Sequence, residues 1–167
     1  GFPGSEPISN DDLLTLKCDV LAPCAMENQI SETNAHKIQA KIITEGANGP
    51  TNNAATKILT ERDVMVCPDI LANGGGVIVS YFEWVQGMQQ FFWSENEVND
   101  RMKQIINGAF EKVWELKTEK KVDMRTAAMA QAVRRLERAM LLRGLYPRCA
   151  KGTLYLLATC RITGSHL

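Results

Sequence analysis

Three short apolar runs punctuate the N-terminal half of the chain: CDVLAPC (residues 18–24), AKIITEG (40–46) and DVMVCPD (63–69). A proline or a glycine stops each of them, and each reads as a short buried strand. Around them the pattern turns helical. Ser9 is an N-cap candidate opening SNDDLLTL, with acidic residues in the first turn. SETNAHKI (31–38) suits one or two helical turns, and TNNAATKILTERD (51–63) gathers Ala54, Ala55, Ile58 and Leu59 on one helical face. Short strands alternating with helices predict βαβ units and a parallel sheet, an α/β fold. In such sheets ligands bind beyond the carboxyl ends of the strands. Those ends carry PCAMEN, EGANGPT and PDILANGGG, all rich in Gly, Asn, Pro or small residues.

The C-terminal third is predicted to be long helices. Ser94 and Glu97 form a capping-box signature. Behind it Val98, Met102, Ile105, Ala109, Val113 and Leu116 recur at spacings of three and four, an amphipathic period. A second helix follows Asp123, with Met129, Val133, Leu136 and Met140 on one face, Arg134, Arg135, Glu137 and Arg138 largely on the other, and Gly144 as its C-cap. The charged faces read as solvated. After Pro147 the sequence changes character, and its LYLLAT fits either a strand or a helical turn. The expected division is therefore 1–146 as one portion and 147–167 as an unassigned tail.

Composition narrows the function classes. Of 167 residues, 45% are hydrophobic and 23% charged, ordinary for a globular chain with one domain's worth of core. A formal net charge of zero argues against a broad electrostatic surface for nucleic acid or membrane. No uncharged apolar run reaches the roughly 18 residues of a membrane span. The opening GFPGSEPIS has neither a Met nor a basic-then-apolar leader, so a fragment or processed product is expected. The five cysteines form no CxxC pair and there are only two histidines, so no metal site is expected. Cys18, Cys24 and Cys67 read as reduced, small hydrophobes, which points to a reducing compartment.

Candidate chemistry concentrates in the strand-end loops. Asn48 in EGANGP is either a ligand-facing amide or part of a plain Asn-Gly turn. Asn73 and the glycines after it suit a helix start whose free N–H groups face a polar ligand. Ser80 lies inside the apolar run VIVSYFEW, where its hydroxyl either meets a ligand or bonds the carbonyl four residues back. The sequence contains no GxGxxG, HExxH or Ser/His/Asp set.

Together, CDVLAPCAMENQI, KIITEGANGPT, VMVCPDILANGGGVIVSYFEWVQ and MRTAAMAQAVRRLERAMLLRG resemble the glutamate dehydrogenases of the glutamate/leucine/phenylalanine/valine dehydrogenase superfamily. The resemblance runs from Gly1 to about Tyr146, and SYFEW favours glutamate over the branched-chain and aromatic relatives. It implies a partial Rossmann-like domain binding NAD or NADP, followed by C-terminal helices. The implied reaction interconverts L-glutamate with 2-oxoglutarate plus ammonia by hydride transfer. By motif position, Ala25, Asn48 and Asn73 would be cofactor-binding, and Asn73 and Ser80 substrate-binding, with Ser80 donating to the side-chain carboxylate of glutamate. The family's glycine fingerprint, catalytic lysine and catalytic aspartate lie upstream of these motifs, so no catalytic residue is assigned and no turnover is expected of this chain alone. The resemblance also implies a homo-oligomer, commonly a hexamer, in the cytosol or an organelle.

Three departures from the family pattern stand out: Asn52-Asn53 where Pro-Glu is usual, Gly74 for alanine or serine, and Cys24 for alanine. Two other functions fit the sequence. One is an NAD(P)-binding or regulatory module without catalysis, and the other a fragment with no independent role.

Overall fold

All three apolar runs form strands in the computed structural model, which describes residues 3–144. They are β1 (Val20–Leu21), β2 (Ile42–Thr44) and β3 (Met65–Cys67), hydrogen-bonded in parallel in the order β1-β2-β3. Val20 stands opposite Ile42, and Ile43 opposite Val66. The helical elements are α1 (Asn10–Leu14), a 3₁₀ turn (Ala35–Lys37), α2 (Asn53–Glu61), α3 (Asp69–Ala72), α4 (Gly74–Gln89), α5 (Glu95–Lys120) and α6 (Met124–Arg143). The fold is the expected α/β arrangement, a partial Rossmann-like sheet followed by long helices.

Local chemistry explains the helix ends. Ser9 caps α1 by accepting the Asp12 N–H, and Ser94 and Glu97 form the complete reciprocal capping box of α5. At α2, Asn52 is the N-cap: its Oδ1 accepts the Ala55 N–H at 2.8 Å. The Asn-Asn departure thus removes a first-turn proline yet supplies a side-chain cap of its own.

Strand alternation divides the core. Ile43 and Val66 join Ile30, Ile38, Ala55 and Leu59 in one apolar cluster. On the other face, Met65 and Cys67 pack against Leu71, Val113, Leu116 and Met124. The described chain forms two compact units, divided after Gln131 within α6. Among the described residues, no helix is long and apolar enough to cross a membrane.

Burial differs from what the apolar pattern alone suggests at three places. Ala54 is exposed, although Ala55 and Leu59 on α2 are buried. Cys24 is exposed rather than a buried hydrophobe, while Cys18 and Cys67 are half-buried. The stripe Met129, Val133, Leu136 and Met140 is exposed, and α6 buries Met124, Ala127 and Ala128 instead. Periodicity identifies residues that share a face but not whether that face is covered. Residues 147–167, with LYLLAT, Cys149, Cys160 and His166, lie outside the described residues.

Candidate functional site

The loops beyond the carboxyl ends of the three strands are bonded to one another. After β1, the Pro23 carbonyl accepts the N–H groups of Gly46 (3.1 Å) and Ala47 (2.9 Å) from the loop after β2. This close approach requires glycine, because a Cβ on Gly46 would stand 2.5 Å from Cys24 Sγ. The β2 loop then turns at Gly49, whose φ of 58° is left-handed. The chain thus bends at Asn48-Gly49, as one reading of EGANGP had it, and the Asn48 side chain bonds outside that bend.

Asn73 ends α3 and precedes α4, but its side chain caps neither helix. Its Nδ2 instead donates to Asn48 Oδ1 at 2.7 Å and reaches the Gly46 carbonyl at 3.4 Å. The result is an open cleft of ≈ 540 Å³ lined by Ala25, Asn48 and Asn73 together with Glu27, Gly46, Ala47 and Val77. Ser80 is not part of that lining. It is exposed on α4, three residues beyond Val77 and hence on the same helical face. A second hollow, of ≈ 450 Å³, lies at the start of β3 beside Thr60, Asp63, Lys117 and Asp123, and holds none of the candidate residues.

Beneath the cleft is an ion cluster that sequence reasoning missed. Glu45 is fully buried at the end of β2, and both its carboxylate oxygens accept from Arg125 Nη2 of α6 at 2.6 Å. Glu45 Oε2 also accepts the Asp69 N–H at 2.8 Å. Asp69 Oδ1 accepts Arg125 Nη1 at 3.2 Å, and Asp69 Oδ2 accepts the Gly49 N–H at 2.8 Å. Burial works against ionisation of Asp69, but the Gly49 and Ile70 N–H groups and Arg125 outweigh it and hold the carboxyl below its ordinary value. Burial, and secondarily the charge of Glu45, pushes the Cys67 thiol up.

Two signals in the sequence hinted at this cluster. A charged residue ends the apolar run AKIITEG, and an arginine occupies the first turn of a helix, where the dipole disfavours a cation unless it has a partner.

The cleft offers a polar ligand one donor and one acceptor. Among the described residues, Asn48 Nδ2 and Asn73 Oδ1 have no protein partner, which leaves a donor and an acceptor for a carboxamide or a ribose hydroxyl. The chain has no glycine fingerprint to cradle the diphosphate.

A parallel α/β sheet with a polar cleft at its strand carboxyl ends defines a partial Rossmann-like domain. The chain belongs to the Glutamate/Leucine/Phenylalanine/Valine dehydrogenase family, whose profile matches residues 2–144. It is 50% identical over 139 residues to an NAD-specific glutamate dehydrogenase of Staphylococcus aureus, covering 83% of this chain and 34% of that protein. A glutamate dehydrogenase of Thermotoga maritima is 49% identical over 146 residues, covering 87% and 35%. Among solved structures, a hetero-hexameric glutamate dehydrogenase from Thermus thermophilus superposes with a TM-score of 0.80 at 34% identity, covering 87% of this chain and 36% of that one. The chain thus spans about a third of the length of the curated relatives it matches.

Proposed function

We propose that this chain is the later part of the dinucleotide-binding domain, with the following helices, of an NAD(P)-dependent glutamate dehydrogenase. The whole enzyme would interconvert L-glutamate with 2-oxoglutarate plus ammonia. The observation that carries this reading is the Asn73–Asn48 hydrogen bond, which joins two separate family motifs in one cleft beside Ala25. Ala25, Asn48 and Asn73 hold the nicotinamide and its ribose, and Asn73 also faces the substrate.

Ser80 donates to the side-chain carboxylate of glutamate. A hydroxyl suits that anion because it adds no fixed charge to the pocket. Bound NAD(P) supplies the hydride chemistry, while these side chains position and select. NAD is the cofactor specificity named for the S. aureus relative. The proton-transferring lysine and aspartate come from the remainder of the enzyme, which works as an oligomer; the Thermus relative is named as a hetero-hexamer.

The test joins this chain to the upstream two thirds of the S. aureus relative. With glutamate and NAD, the hybrid should form NADH and the isolated chain should not. Asn73→Ala in the hybrid should depress both cofactor and glutamate handling. A folded hybrid without turnover, or turnover by the isolated chain, would overturn the proposal.

A further inference from the structure

We propose that Arg125 is a positioning residue for the cleft, setting from α6 the spacing of the two strand-end loops that carry Asn48 and Asn73. The proposal rests on the reading of the cleft given above. Arg125 does not line the cleft, and its side-chain hydrogen bonds go to Glu45 and Asp69, which link it to both loops. Through Glu45 it grips the last residue before Gly46, and through Asp69 the first residue of α3, the helix that ends at Asn73. Asp69 passes the constraint on by accepting the Gly49 N–H next to Asn48, and Glu45 does so by accepting the Asp69 N–H. Arg125, Glu45 and Asp69 thus form a closed triangle of hydrogen bonds, joined through Gly49 to Asn48 and through α3 to Asn73.

The geometry requires a guanidinium. One nitrogen spans both oxygens of Glu45 while another reaches Asp69, and a lysine ammonium has no such planar fork. The arrangement has a cost, because the buried Nε of Arg125 has no partner. A side chain placed only to neutralise Glu45 would have no need to extend to Asp69. Two carboxylates held by one cation also give the loops a single preferred separation, as a site supported by a surrounding shell requires.

The test uses the full chain, isotopically labelled, with NADH as the probe and Arg125→Lys, Arg125→Gln and Asp69→Asn as the variants. Sheet amides of Ile42–Thr44 should stay in place. The Gly49 amide and the side-chain amides of Asn48 and Asn73 should move, already without ligand. NADH affinity should fall by about 2- to 30-fold in Arg125→Gln and Asp69→Asn, with Arg125→Lys giving partial rescue. Asp69→Asn leaves the Glu45–Arg125 pair in place, so it serves if Arg125→Gln does not fold.

If the variants lower only the unfolding midpoint, with loop resonances and NADH affinity unchanged, Arg125 is merely structural and the proposal falls. If Asn48→Ala and Asn73→Ala leave the NADH affinity of the folded hybrid enzyme unchanged, the reading of the cleft falls, and the cofactor role of Arg125 with it. The ligand-free spectra would then still show whether the loops are coupled, so the two failures are distinguishable.

Discussion

Replacing Arg125 with methionine should be among the most destabilising single changes in the described chain. The cost falls mainly on Glu45, which is fully buried. Its Oε1 loses the guanidinium, while Oε2 keeps the Asp69 N–H. Asp69 is less affected, since Oδ1 keeps the Ile70 N–H and Oδ2 keeps the Gly49 N–H. Removing one partner of a buried pair typically costs about 3–5 kcal/mol. One retained hydrogen bond places the expectation for Arg125→Met near the lower end of that range, against a total domain stability of about 5–15 kcal/mol. Urea unfolding measures the loss as a shifted midpoint at constant slope. The double variant Glu45→Gln/Arg125→Met is the control. A neutral amide needs no counter-charge and can still accept the Asp69 N–H, so the double variant should lose only about 1–3 kcal/mol. A loss under about 1 kcal/mol in the single variant would refute the reasoning, as would a double variant less stable than the single.

Three further expectations follow from particular contacts. In the hybrid enzyme, Ser80→Ala should weaken glutamate kcat/KM by about 1–3 kcal/mol and leave cofactor affinity nearly intact; unchanged glutamate kinetics would remove Ser80 from the substrate site. Asp69 is held below its ordinary value, so in acid the unfolded chain binds more protons than the folded one. Stability therefore falls as pH drops below about 4, and Asp69→Asn should flatten that acid limb, with the remaining slope owed partly to Asp123, also held low. Asn52→Ala should cost about 1 kcal/mol through the lost cap, whereas Asn52→Ser keeps a capping oxygen; both variants lose the Asn52 Nδ2 bond to exposed Glu32, so equal losses in a thermal melt would count against the cap.

Strands and strand-end loops were legible because each depends on neighbours in sequence. AKIITEG and DVMVCPD hold their β-branched residues and their stop signals within a few positions, and the structure pairs them as β2 and β3. The helix caps at Ser9 and Ser94 were legible for the same reason. The ion cluster was not, since Glu45 and Arg125 lie 80 residues apart and meet only after the sheet and α6 have formed. Coverage was equally hidden: the stripe from Met129 to Met140 has a regular period, yet it remains exposed. Asn48 and Asn73 fall between these cases. Their motifs were visible, but the hydrogen bond that unites them depends on the helix break at Asn73.

For Ser80 the structure bears on only one of the two readings the sequence left open, the bond within the helix. The helical alternative requires its hydroxyl to bond the Gly76 carbonyl four residues back. Thr60 and Thr118 form that bond in their own helices, to Thr56 and Trp114. Among the described residues, none accepts a hydrogen bond from Ser80 Oγ. A core role is also a poor fit, because Ser80 lies on the exposed face of α4 with Val77 (71% exposed), Tyr81 (59%) and Trp84 (61%). That face begins at the cleft, where Val77 contributes to the lining. The proposal that Ser80 meets the glutamate carboxylate therefore rests on a hydroxyl one helical turn from the cleft residue Val77, and the Ser80→Ala kinetics decide it.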